Sequence, residues 1–91
     1  MKYGILFRIF HCWNEALMPT IKRFAGFVIR MYFSDENPPH VHVENVNFRA
    51  RVSITDASVL DGEIPSKFSR EALSWIEKNR DWLLAKWAEY S

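Results

Sequence analysis

The stretch GFVIRMYF at residues 26–33, followed by NPPHVHVE at residues 37–44, decides the fold of this 91-residue chain. In the first stretch, apolar side chains alternate with Arg30 and Tyr32, which is the period of a half-buried β-strand. The core-facing set is Phe27, Ile29, Met31 and Phe33. Two prolines then predict a stiff loop. Residues 40–44 alternate again and predict a second, short strand.

The same period continues along the chain. Residues 48–54 predict a third strand, and residues 59–64 predict either a brief fourth strand or a packed loop. Consecutive strands with short connections favour antiparallel neighbours. We therefore expect an α+β domain over residues 18–91, in which a small antiparallel meander of three to four strands packs one face on C-terminal helices.

The helical part of this domain follows Pro65. A 3.6-residue apolar period runs from Ser69 to Tyr90 and predicts helix. Ser66 or Ser69 can cap its start. Asn79 can divide the region into two helices and cap the second one.

Residues 1–17 predict an N-terminal extension to this domain. Apolar residues at helical spacing indicate an amphipathic helix, and a short strand from Tyr3 to Phe10 is the competing prediction. It can serve in docking or dimerisation, add to the core, or precede a start at Met18. The segment is too short and polar to span a bilayer and has no signal-peptide cleavage site, so we expect neither export nor a membrane span.

The composition excludes a protein that acts through its overall charge. Twelve basic and eleven acidic side chains give a formal charge of +1, so any nucleic-acid role requires a local patch. The single cysteine, Cys12, excludes an intrachain disulfide framework and suits a reducing compartment. We therefore expect a cytoplasmic protein.

One face of the predicted sheet collects polar side chains. If the three strands are neighbours, this face carries Arg30, Tyr32, His40, His42, Glu44, Arg49, Arg51 and Ser53. We expect the face to be open to solvent, with its arginines gathered there and most acidic residues on loops and helices. The opposite face is almost entirely aliphatic and aromatic and needs no functional explanation.

Three interpretations of this polar face remain open. His40 and His42, with Glu44, have the ligand types of a zinc or iron site. The neighbouring arginines oppose a cation, however, and the domain has no further histidine. We therefore expect no metal and no cofactor.

A second interpretation is a metal-independent ribonuclease. His40 and His42 would act as general acid and base, Tyr32 would stack or donate, and the arginines at 30, 49 and 51 would hold phosphate. The competing view is a solvated surface with cross-strand Glu–Arg pairs, in which His40 caps the proline loop through a hydrogen bond to the backbone.

The third interpretation is a non-enzymatic binding or regulatory domain for protein or nucleic acid. An arginine-rich sheet face or an exposed edge strand is a natural docking surface for another small protein. A homodimer and an RNA partner are further options.

The motifs of the domain resemble a known family. Met18 to Ile21, the strand that ends at Phe33, and Asn37-Pro-Pro-His-Val-His42 resemble the bacterial domain-of-unknown-function 4160 family, and the segment from Asp61 to Pro65 fits its next part. Members look like short cytosolic proteins, often encoded beside a protein of the domain-of-unknown-function 2442 family. Such pairs are regarded as candidate type II toxin–antitoxin modules. The resemblance implies a toxin-side member that binds a small antitoxin, and it supplies no catalytic mechanism.

Overall fold

The structure is a computed structural model that describes residues 19–33 and 35–90. Within them, five strands form one antiparallel meander in chain order: β1 Thr20–Phe24, β2 Phe27–Arg30, β3 His40–Glu44, β4 Arg49–Ser53 and β5 Val59–Gly62. Two helices follow, α1 Ser66–Lys78 and α2 Arg80–Tyr90. The α+β class is confirmed, but the predicted number of three to four strands is wrong. The predicted extension, residues 1–17, lies outside the described residues.

The strand that the sequence did not predict is β1. It pairs with β2 through a tight turn in which Gly26 has a φ of 98°. Its register shifts between Thr20 and Lys22, so one extra residue interrupts the pairing. An irregularity of this kind disrupts the two-residue alternation by which strands are recognised. The adjacent charges of Lys22 and Arg23, both exposed, conceal the period further.

The first predicted strand is shorter than expected. β2 ends at Arg30, although Met31 is still fully buried in the core. Phe33, which was assigned to the core face, is instead exposed, and its ring lies 4.4 Å from that of Tyr90. At Phe33 the chain has left β2 and entered the proline loop, so the two-residue alternation no longer predicts which face of the sheet a side chain occupies.

The hydrophobic core lies between one face of the sheet and the two helices. β2, β3 and β4 contribute Phe27, Ile29, Val41, Val43 and Val52. Each helix contributes two buried residues four positions apart, Ala72 with Ile76 and Leu83 with Trp87. This spacing places both side chains of a pair on one face of the helix. The predicted packing of the C-terminal helices on the apolar sheet face is therefore confirmed.

The boundary between the helices lies at Asn79, as predicted, but the residue acts differently. Its side-chain Nδ2 donates to the carbonyl of Trp75, so it closes the end of α1 and does not cap the start of α2. The N-cap of α1 is Pro65, without a side-chain hydrogen bond, so the predicted serine cap is wrong. No helix among residues 19–33 and 35–90 is both long enough and apolar enough to cross a membrane.

The last strand depends on a glycine. Gly62 has a φ of 79°, and a Cβ atom built there would overlap the backbone carbonyl oxygen of Arg49 on the neighbouring strand. We expect G62A to lower the free energy of unfolding by about 2 kcal/mol or more, because strained backbone and steric overlap add. Urea unfolding measures this, with E63A at the adjacent exposed position as the control. Equal stabilities of the two variants would contradict the close approach of β4 and β5.

Candidate functional site

The strand register brings the predicted polar side chains onto one face. Arg30 on β2 is opposite His42 on β3, which is opposite Arg51 on β4. Glu44 on β3 is likewise opposite Arg49 on β4. The face is not open at its histidine end, however, because His40 is 1% exposed and His42 is 7% exposed. The expectation of a solvent-exposed face is therefore wrong at this end.

A cluster of four side chains explains this burial, and we call Tyr32, Asp35, His40 and His42 the imidazole cluster. One oxygen of Asp35, Oδ2, lies 3.0 Å from Nε2 of His40 and 3.1 Å from Nε2 of His42. The two imidazole rings are 5.0 Å apart at an angle of 67°. A single carboxylate oxygen thus serves both histidines.

The proline loop places Asp35 over the sheet. Its Asn37–Pro38 peptide bond is cis, and the loop returns directly into β3. Nδ1 of His40 lies 2.8 Å from the carbonyl oxygen of Pro38. A carbonyl only accepts, so Nδ1 carries a proton and donates it. The hypothesis that His40 caps the proline loop is therefore confirmed.

The surroundings shift the pKa values of two members of the cluster. Burial lowers the pKa of the His42 imidazole, although the hydrogen bond to Asp35 acts in the opposite direction. Burial alone would raise the pKa of the Asp35 carboxyl, but hydrogen bonds from His42 and from the backbone N–H of Glu36 outweigh it and lower the pKa. Both shifts favour a carboxylate beside a neutral His42 imidazole near neutral pH.

Aromatic rings hold the two imidazoles in place. The ring of Tyr32 stacks on His42 at 4.0 Å, with 10° between the planes. The ring of Trp87 lies 5.2 Å from His40. Burial, and then the Glu44 carboxylate, raise the pKa of Tyr32, so its phenol stays protonated. The predicted site residue Tyr32 is therefore a packing partner of His42.

The remaining predicted site residues form ion pairs. Glu44 lies between two guanidinium groups, with 3.0 Å from Oε2 to Nε of Arg30 and 3.0 Å from Oε1 to Nε of Arg49. Arg51 pairs with Asp61 at 2.9 Å. The cross-strand Glu–Arg pairs that the sequence suggested are therefore present. Glu44 and Asp61 therefore compete with a phosphate for these arginines.

These contacts add two acidic residues to the face that the sequence did not place there. Arginines and Glu44 were expected on this face and most acidic residues on loops and helices, where most of those in the described part of the chain do lie. Asp35 and Asp61 nevertheless also take part in contacts on the face. Asp35 comes from the predicted proline loop, and Asp61 comes from the segment predicted as either a brief strand or a packed loop. The face therefore combines both signs of charge.

The sequence reasoning missed Asp35. The sequence offered Glu44 as the third candidate after the two histidines, because it continues the alternation of His40 and His42 along β3. Glu44 faces arginines instead, and Asp35 reaches the histidines from the proline loop. The only available signal was an acidic residue a few positions before the two prolines, and no periodic rule connects a loop side chain to a strand face.

The contacts of Glu44 with two arginines predict that neutralising Glu44 destabilises the fold more than neutralising Asp61. Glu44 is 13% exposed, whereas Asp61 is 61% exposed. We expect E44Q to lower the free energy of unfolding by about 1–2 kcal/mol, because it removes a half-buried carboxylate from between two guanidinium groups. The matched variant D61N should change it by less than about 1 kcal/mol, as exposed pairs do.

Urea unfolding at low salt measures both variants. Far-ultraviolet circular dichroism checks that each retains the fold. If D61N lowered the free energy of unfolding as much as E44Q or more, this would contradict the conclusion that Glu44 is held between two arginines.

Comparison with known proteins gives one match. No curated protein and no solved structure matches the chain. The model of the family described as "Domain of unknown function (DUF4160)" matches residues 26–88, which include β2 to β5, the proline loop with the imidazole cluster, and nearly all of both helices. The chain therefore belongs to the DUF4160 family.

Proposed function

We propose that this chain is the toxin-side component of a bacterial type II toxin–antitoxin module, and that it binds a small cognate antitoxin in the cytoplasm. The resemblance to families encoded in pairs suggests the kind of partner, a protein of the domain-of-unknown-function 2442 family. The geometry of the sheet supports a protein partner and suggests where it docks.

The observation that carries this proposal is the exposed edge strand β5. β5 pairs with β4 only, and no strand among the described residues pairs with its other side. All four of its residues are exposed, including Val59 at 41% and the adjacent Leu60. Unpaired backbone groups beside exposed apolar side chains are a template for an added strand. A partner that supplies a strand here would extend the sheet.

The polar face favours protein over nucleic acid as the partner. Its arginines at 30 and 49 lie against Glu44, and Arg51 lies against Asp61. Nucleic acid binds most strongly where basic side chains face phosphate without competing carboxylates. Three carboxylates on or beside this face oppose such binding, whereas a protein partner can match mixed charges.

The ribonuclease alternative receives less support from the geometry. A general acid or base must reach the substrate proton directly or through one water. The His40 side chain is fully buried, and the Nε2 atoms of both histidines face Asp35. The proline loop would have to leave β3 before His40 could touch a ribose.

The proposed docking on β5 predicts that a substitution in this strand weakens the binding of the partner. We expect the tagged full-length chain to co-purify with the protein encoded beside it, and V59K to weaken this complex about tenfold or more, because a buried lysine would replace an apolar contact. V46K is the matched control, since Val46 is also an exposed valine, at 98%, but lies at the opposite end of β4. V46K should bind like the parent chain.

Growth measurements complete the test. Expression of the chain alone should slow growth, and co-expression of the partner should restore it for V46K but not for V59K. The proposal fails if no complex forms and growth is unaffected. Equal binding by both variants would place the partner elsewhere, and a concentration-dependent homodimer disrupted by V59K would replace the antitoxin with a second copy.

A further inference from the structure

The imidazole cluster has a second property that the antitoxin proposal does not use. Asp35 Oδ2, His40 Nε2 and His42 Nε2 converge, and all three atoms lie within 4.8 Å of one another. We propose that Asp35, His40 and His42 bind a divalent transition cation of the zinc type, with one coordination position left open. Two imidazoles and one carboxylate are ligands that zinc and iron(II) accept.

The hydrogen-bond partners of the two ring nitrogens of His40 favour a positive charge between its Nε2 atom and Asp35. The Nδ1 proton of His40 is donated to the Pro38 carbonyl, so in the neutral imidazole Nε2 has only a lone pair. That lone pair faces a carboxylate oxygen 3.0 Å away. Two lone pairs at this distance repel each other unless a proton or a cation lies between them. A metal ion would satisfy both atoms at once.

The contacts around the ligands resemble the outer shell of a metal site. Metal-binding histidines usually donate their other ring N–H to a carbonyl or carboxylate, which fixes the tautomer and the ring orientation. His40 does this with Pro38. The second carboxylate oxygen of Asp35, Oδ1, accepts the backbone N–H of Glu36 at 2.9 Å. Two of the three ligands are therefore oriented before any metal binds.

The size of the cluster fits a small ion after a modest adjustment. With metal–ligand distances of about 2.0–2.2 Å, tetrahedral ligand atoms lie about 3.3 Å apart. The two Asp35 contacts, at 3.0 and 3.1 Å, need to lengthen by only a few tenths of an ångström. Asp35 belongs to a loop and is partly exposed, so it can make this movement. The ligand atoms of the two imidazoles, which lie within 4.8 Å of each other, must also come to about 3.3 Å, which requires rotation of the histidine side chains on β3.

The three ligands are not equivalent. Binding through Nε2 requires the His42 proton to move to Nδ1, and this buried atom has no hydrogen-bond partner among the described residues. His40 already has its Nδ1 partner. His40 and Asp35 are therefore the stronger ligands, and His42 completes the site.

Two further observations concern the charge around the site and the number of its ligands. The arginines that seemed to oppose a cation are paired, since Arg30 lies against Glu44 and Arg51 against Asp61. Among the described residues, no fourth histidine, cysteine or carboxylate joins the group. Closed structural zinc sites have four protein ligands, whereas three ligands and one open position are typical of sites that bind a water or a substrate.

A zinc titration tests this site in the full-length chain without a histidine tag. The starting variant carries H11Q and C12S, which remove the remaining histidine and the single cysteine. After treatment with a chelator, we expect it to bind one equivalent of Zn²⁺ and to unfold at a higher temperature with Zn²⁺ present, because the ion binds only the folded state. Co²⁺ in the same site should give the visible absorption of a four-coordinate ion.

Three further substitutions in this background locate the ligands. D35N and H42Q should each weaken Zn²⁺ binding about tenfold or more. E36Q is the matched control, since it removes a neighbouring exposed charge from the same loop, and it should bind like the starting variant. Near-ultraviolet circular dichroism verifies the fold of each.

Two results would overturn the proposal. One is the absence of Zn²⁺ and Co²⁺ binding in the starting variant at micromolar concentrations. The other is stoichiometric binding that folded D35N and H42Q leave unchanged. Neither result affects the antitoxin complex, which depends on β5, so the two proposals fail independently.

Discussion

A shared carboxylate oxygen connects the proline loop to the central strand of the sheet. Oδ2 of Asp35 contacts both histidines of β3, and His40 returns a hydrogen bond to the loop through the carbonyl of Pro38. A buried polar group destabilises a protein unless it is paired, so His40 and His42 can be buried only while the loop covers them. The closed end of the polar face and the convergence of one carboxylate oxygen and two imidazole nitrogens both follow from this arrangement.

Periodicity was sufficient to predict most of the fold. β2, β3, β4 and α1 follow regular apolar spacing, so their side chains could be assigned to a face from the sequence alone. In α2 the apolar residues are spread around the helix, and Leu83 and Trp87 are buried while Trp82 is exposed. β1 could not be assigned from the sequence, because an irregularity near Thr20 shifts its register. Phe33 was assigned to the wrong environment for a related reason, since β2 has already ended before the residue is reached.

The sequence predicted most residues of the candidate site but not all of the contacts between them. Alternation placed His40, His42 and Glu44 on one face and suggested the Glu–Arg pairs, but it could not reveal that Asp35, a loop residue, faces the histidines. Contacts between a loop and a strand depend on the path of the backbone, which no local rule supplies. The sequence also could not reveal that Asp61 pairs with Arg51 on this face, because its segment was predicted as either a brief strand or a packed loop.

The two proposals concern two different surfaces of the sheet. Within residues 19–33 and 35–90, no strand pairs with the outer side of β5, which also exposes apolar side chains and so suits a protein that adds a strand. The imidazole cluster lies on β3, two strands away, beneath the proline loop. Because one strand separates them, a partner on β5 and an ion at Asp35 can bind at the same time, and each surface can be altered without changing the other.

The most direct measurement of the central claim is a long-range proton–nitrogen correlation spectrum of the imidazole rings in the metal-free chain. We predict a protonated Nδ1 on His40, and we predict that D35N shifts the signals of both His40 and His42 whereas E36Q shifts neither. An unprotonated Nδ1 on His40, or imidazole signals that D35N leaves in place, would contradict the shared carboxylate on which this account depends.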